Sequence, residues 1–164
     1  SVPGFPKEGI IFRDFMPVLA DAKGEILLNA LEQALPVPPS EFDSIAGLES
    51  RGFLFGPAMA AHLGKGFIAV RKAGKLRPKP LANPTTSNMA RQALKSDTAV
   101  SKGERVLIVD DLIATGGTAK AATDLIGKAG GTVVGFSFVM RLEGLDGLSK
   151  LGSTPSSSLI SMPA

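Results

Sequence analysis

The chain contains no cysteine and no tyrosine, and a single histidine, His62. Without cysteine it can build neither a disulfide framework nor a thiolate zinc site, and one histidine supplies no imidazole cluster for a metal. No apolar run approaches the roughly 18 residues of a membrane span, and no charged-then-apolar leader opens the chain. A large charge of one sign is missing too: 18 basic residues against 15 acidic ones leave a net charge of +3. That surplus suits an anionic small molecule and is too small to argue for nucleic acid. The expectation from these absences is a soluble, cytoplasmic protein with no nucleic-acid and no membrane partner.

What the chain does have is glycine, 19 residues, and proline, 12 residues, in a length of 164 that is 44% hydrophobic and 20% charged. That length suits one domain, residues 1–164, with a substantial core. Ile26, Leu27, Ala30, Leu31 and Ala34 recur at helical spacing and predict an amphipathic helix over residues 21–35. Short strands are expected at 43–47, 66–71, 106–109, 132–140 and 159–162, with helices at 53–63, 119–128 and 145–151 between them. Strands alternating with helices imply an α/β fold, a mostly parallel twisted sheet with helices on both faces. The serine cluster at 153–158 reads as a loop. Two segments differ from this rhythm. Residues 1–13 are punctuated by proline and glycine and run into the extended "GIIFRDF". Residues 72–98 are basic, proline-broken and poor in large apolar side chains, as in an excursion or a hairpin that covers something.

The stretch "RVLIVDDLIATGGTAKAA", residues 105–122, concentrates the chemistry. A β-branched and leucine run predicts a strand buried on both faces, and Asp110 and Asp111 are expected where it ends. Two adjacent carboxylates there repel each other unless donors answer them, and the vicinal hydroxyls of a ribose are two such donors. The alternative is that one acid caps the next turn. Ala114, Thr115, Gly116, Gly117 and Thr118 then offer successive backbone N–H groups, two hydroxyls and no Cβ at the glycines. They open into a helix N-terminus, where unpaired amides and the macrodipole favour an anion. The loop is neither a Walker pattern nor G-x-G-x-x-G, and it suits a monophosphate. Acids for ribose hydroxyls beside a loop for phosphate describe a ribose 5-phosphate. "ESRG", with Glu49, Ser50 and Arg51, is a second candidate anion turn, and Arg71, Lys72 and Lys75 form a basic cluster after a strand.

"VLIVDDLIATGGT" resembles the phosphoribosyl-pyrophosphate (PRPP) signature of the type I phosphoribosyltransferases. "FPKEGIIFRDFMPVL", "IAGLESRGFLFGPAMA" and "VRKAGKL" resemble the adenine-using branch of that family, in the same order and at similar spacing. The resemblance implies transfer of the 5-phosphoribosyl group of PRPP to adenine, giving AMP and pyrophosphate, with Mg²⁺ held mainly by PRPP and pyrophosphate. It also implies a homodimer. By the same resemblance Asp110 and Asp111 hold the ribose, Ala114 to Thr118 the 5′-phosphate, and Glu49, Ser50, Arg51, Arg71, Lys72 and Lys75 the pyrophosphate. Arg51, Lys72 and Asp111 are then the catalytic candidates. Ile11, Phe12 and Arg13 match a hood over the adenine within residues 1–20, and residues 72–98 match a flexible loop. One departure stands out. The family's loop carries a Tyr-x-Leu-Glu-Tyr-Gly pattern, whereas this chain has no tyrosine and no glutamate between 77 and 97. A non-catalytic PRPP or nucleotide sensor, or a phosphoribosyltransferase for another base, are the alternative readings.

Overall fold

Val106, Leu107, Ile108 and Val109 have no solvent exposure at all, because the strand that carries them is covered by helices on both sides. The computed structural model describes residues 2–3, 11–12, 14–21, 23–72, 94–96 and 100–164, with the backbone alone at 2–3, 11–12, 72 and 94–96. Two short strands, β1 (Val2–Pro3) and β2 (Ile11–Phe12), pair antiparallel. Helices α1 (Met16–Ala20) and α2 (Gly24–Gln33) follow, then β3 (Ser44–Leu48), α3 (Gly56–His62) and β4 (Gly66–Lys72). The rest comprises β5 (Leu94–Ser96), β6 (Arg105–Ile113), α4 (Gly117–Ala129), β7 (Thr132–Glu143) and β8 (Ser156–Pro163).

Strands β3 to β8 form one sheet in the order β5-β4-β3-β6-β7-β8. All neighbours are parallel except β5, which runs antiparallel to β4 with Val70 opposite Ser96 and Lys72 opposite Leu94. Side chains alternate across the sheet. Val106 and Ile108 join a cluster with Ala119, Ala122 and Ile126 of α4. Leu107 and Val109 join the opposite cluster with Leu27 and Leu31 of α2 and Met59 and Ala60 of α3. The expected α/β fold with helices on both faces is therefore present.

Several local expectations are corrected. The strand predicted to stop at Val109 continues to Ile113, so Asp110 and Asp111 lie within β6 and still pair beside β7, Asp110 opposite Phe138. Propensity argues against aspartate in a strand, but the parallel neighbours hold the backbone. Ser156, Ser157 and Ser158, expected in a loop, are edge-strand residues paired with Phe136, Ser137 and Phe138. The helix expected from Phe53 starts instead as a 3₁₀ turn, Arg51–Phe53, and becomes α-helical at Gly56. The helix expected at 145–151 is a 3₁₀ turn over Gly147–Leu151. Within the segment 72–98, read as an excursion or a hairpin, Leu94–Ser96 pairs antiparallel with the end of β4, while residues 73–93 and 97–98 lie outside the described residues.

Candidate active site

The direction of the chain reverses between β3 and β6. From β3 it passes through α3 to β4 on one side, and from β6 it passes through α4 to β7 on the other. The loops leaving the carboxyl ends of these adjacent strands therefore diverge to opposite faces. The crevice this leaves is where open parallel sheets place ligands. A cleft of about 310 Å³ lies there. Its walls are Glu49, Ser50 and Arg51 after β3, Asp110 to Ile113 on β6, and Ala114 to Ala119 leading into α4, with Phe138 of β7 beneath.

Each wall has a local cause. The turn after β3 folds down onto β6 because Gly52 carries no side chain: a Cβ there would stand 2.7 Å from the Val109 carbonyl oxygen and 3.4 Å from Asp110 Oδ1. This close approach brings the Arg51 Nε–H to 3.0 Å from Asp111 Oδ2, an ion pair with Asp111 almost wholly buried. The Glu49–Ser50 peptide in this turn is cis. On the other wall, Gly116 adopts a left-handed φ of 72° as it caps α4, and Thr115, Gly117 and Thr118 are exposed to the cleft. The first amides of a 13-residue helix thus point their unpaired N–H groups at the cavity.

The acids between these walls are held in an uncomfortable state. Burial pushes the Asp110 carboxyl up to about 8, with the adjacent Asp111 charge adding to the rise. Against this, the Asp111 backbone N–H donates to Asp110 Oδ1 at 2.9 Å. Burial raises Asp111 as well, opposed chiefly by the Arg51 guanidinium. A ligand that brings hydroxyl donors to this pair relieves the desolvation that raises it. The wall arrangement can therefore hold a diol between two carboxylates, one anion on the α4 amides and another beside Arg51.

Of the residues singled out in the sequence, Glu49, Ser50, Arg51, Asp110, Asp111, Ala114, Thr115, Gly116, Gly117 and Thr118 line this one cleft. Arg71 does not line it: its guanidinium carbon stands 4.9 Å from the centroid of the Phe53 ring, beside the Arg51 turn. The backbone of Lys72 ends β4, and Ile11 and Phe12 form β2. Arg13 and Lys75 lie outside the described residues. Sequence reasoning missed Leu112, Ile113, Ala119 and Phe138 as lining residues. Leu112 stands two residues beyond Asp110 on β6 and shares its face, which a strand expected to end at Val109 does not predict. Phe138 comes from a neighbouring strand and has no local signal. His62 sits at the C-terminal end of α3, as its sequence position suggested, with Nδ1 3.2 Å from Glu32 Oε1.

The fold and this crevice define a class. Residues 22–150 match the phosphoribosyl transferase domain, and the chain belongs to that family. Its relatives within the family include adenine phosphoribosyltransferases. The one from Bifidobacterium longum (strain DJO10A) is 78% identical over 166 residues, covering 100% of this chain and 86% of the relative. That from Natranaerobius thermophilus is 42% identical over 158 residues, covering 94% and 91% of the two chains. The crystal structure of adenine phosphoribosyltransferase from Rhodothermus marinus superposes with a TM-score of 0.83 at 40% identity, covering 98% of this chain and 92% of the other. The Saccharomyces cerevisiae enzyme, solved with D-2,5-dideoxy-2,5-imino-altritol 1,6-bisphosphate and adenine, superposes with a TM-score of 0.78 at 43% identity, covering 96% and 92%.

Proposed function

We propose that this protein transfers the 5-phosphoribosyl group of PRPP to adenine, giving AMP and pyrophosphate. The observation that carries the reading is the gathering of the Arg51 turn, the Asp110–Asp111 pair and residues 114–118 around one crevice, in a chain whose relatives carry that name. In this reading the amides and hydroxyls of residues 114–118 receive the 5′-phosphate. The carboxylates of Asp110 and Asp111 accept the two ribose hydroxyls. Glu49, Ser50 and Arg51 face the pyrophosphate, and Arg71, Lys72 and Lys75 share in binding it. Ile11, Phe12 and Arg13 cover the adenine as part of residues 1–20, and residues 72–98 close over the reaction.

Chemistry then follows from charge. As N9 of adenine bonds to the anomeric carbon, the bond from that carbon to the pyrophosphate oxygen breaks and N9 gives up its proton. Positive charge develops on the ribose and negative charge on the departing pyrophosphate. Arg51 stands ready for that negative charge, and its planar fork suits a phosphate oxygen pair. The carboxylates beneath the sugar favour the developing cation. Closure over the crevice excludes water, whose attack on PRPP is the competing reaction.

Mg²⁺ belongs to this reading as a companion of the substrate. Among the described residues no three acid or histidine side chains gather as a metal site, and the hard oxygens of Asp110 and Asp111 suit Mg²⁺ that arrives on PRPP. Bound there, it would neutralise charge on the pyrophosphate. The protein acts as a homodimer in the cytoplasm in this reading. No helix among the described residues is long and apolar enough to cross a membrane. The test is to supply PRPP and Mg²⁺ with adenine, hypoxanthine, guanine or xanthine and read pyrophosphate and nucleotide. AMP formed from adenine alone supports the reading. PRPP binding without turnover on any base would leave a sensor on this fold as the function.

A further inference from the structure

The loop at residues 114–118 is shaped from behind. Gly147, in the connection between β7 and β8, is buried against it. A Cβ on Gly147 would lie 2.1 Å from the Ala114 carbonyl oxygen and 2.9 Å from the Gly116 backbone nitrogen. In the reverse sense, a Cβ on Gly116 would lie 2.3 Å from the Gly147 carbonyl oxygen. The two backbones thus interlock with no room for a side chain on either, and the obstacles are backbone atoms that cannot rotate away. Gly147 is not among the residues with a left-handed φ, so close approach is the reason for glycine there.

The connection that carries Gly147 is anchored. Leu151 is buried in the cluster beneath α4, and Leu148 packs on the same cluster. The Asp146 carbonyl accepts both the Ser149 N–H and its hydroxyl, closing the turn. A second cleft, lined by Arg141, Glu143, Asp146 and Gly147, shares Ile113 and Ala114 with the first.

We propose that Gly147 is a positioning residue for phosphate binding: it holds the backbone of residues 114–118 so that its amides converge on one anion. The proposal rests on the reading of that loop as the 5′-phosphate site. Three probes separate the two ideas: AMP, adenosine, which lacks the phosphate, and pyrophosphate, each titrated calorimetrically into wild type and Gly147→Ala. The expected result is a wild type that prefers AMP to adenosine by a large factor, and a variant that binds AMP at least tenfold more weakly while its adenosine and pyrophosphate affinities stay within twofold. A wild type that binds AMP and adenosine equally would overturn the phosphate-loop reading, and this proposal with it. A wild type that prefers AMP, with a variant that binds AMP as well, would overturn the role of Gly147 and leave the loop reading intact. Equal weakening for all three probes would show general damage and also overturn it. Should Gly147→Ala fail to fold, Leu148→Ala decides: loosening the anchor is expected to weaken AMP alone by about threefold or more, and unchanged AMP affinity rejects the buttress.

Discussion

The two ends of the β3–β6 pair treat the same type of residue in opposite ways. At the amino ends Asp43 precedes β3 and Arg105 begins β6. Asp43 accepts from Arg105 Nη2 at 2.7 Å, from Arg105 Nε at 3.1 Å and from the Arg105 backbone N–H at 2.9 Å. These hydrogen bonds hold the Asp43 carboxyl down to about 2. Next to them Glu104 accepts from the Ser44 hydroxyl and the Ser101 N–H. At the carboxyl ends, Asp110 is pushed the other way, up to about 8, by burial. Acids answered by the chain's own donors form a structural clasp, whereas acids buried with few donors keep capacity for a ligand. Perturbed groups of the second kind, in a cleft, mark functional sites more often than groups of the first.

That contrast can be broken most strongly at Arg51. Arg51→Ala removes the guanidinium that faces Asp111 and, in the proposed reaction, the pyrophosphate. Loss of one such donor costs about 2.7–4 kcal/mol, or about 10²–10³ in kcat. Steady-state pyrophosphate release measures it, and a loss below tenfold would remove Arg51 from the mechanism.

Asp110→Asn comes next and acts through pH. The folded carboxyl titrates at about 8, far above its ordinary 3.8, so between these values the native state holds a proton that the unfolded chain releases. Stability from this group is therefore full below about pH 4 and is lost as pH rises through about 8. Asparagine cannot titrate and removes that slope. Across this window the wild type loses up to about 1.36 kcal/mol for each step of one in pH, and each kcal/mol is about 2–4 °C in a chain of this size. Thermal melts should show the variant gaining roughly 5 °C or more on wild type between pH 5 and pH 8. Parallel pH curves would refute the burial argument.

Asp43→Asn tests the other end with the opposite sign. Its lowered carboxyl contributes stability above about 3.8 that disappears as pH falls through about 2. A small drop in Tm at pH 7 should shrink towards zero in acid, with turnover at neutral pH unchanged. Smallest of all is Lys120→Ala. Lys120 pairs with Asp124 one turn along the exposed face of α4, a pair worth about 0.3–0.5 kcal/mol. Denaturant midpoints should barely move and adenine turnover should not change.

Much of this was legible in the chain. Residues 106–109 announce a strand buried on both faces because a short run of four apolar residues between turn signals suits one, and the glycine at 116 announces a close backbone approach. The extension of β6 through Asp110 and Asp111 was not legible, since two acids look like a strand end until β7 is seen alongside them. The serines of β8 failed for the same reason: as an edge strand packed from one side, it needs little apolar pattern to stay paired.

The sequence by itself determined the local order of strand, paired acids, small-residue turn and helix, because these follow from side-chain volume and backbone freedom within a dozen residues. Only the tertiary structure decided that β3 lies next to β6. That adjacency lets Arg51 meet Asp111, 60 residues away along the chain and 3.0 Å away in space. It also set the opposite fates of Asp43 and Asp110, and brought Gly147 behind the turn at 114–118. Those outcomes depend on strand order and on which atoms share the interior, and no window of sequence contains both partners.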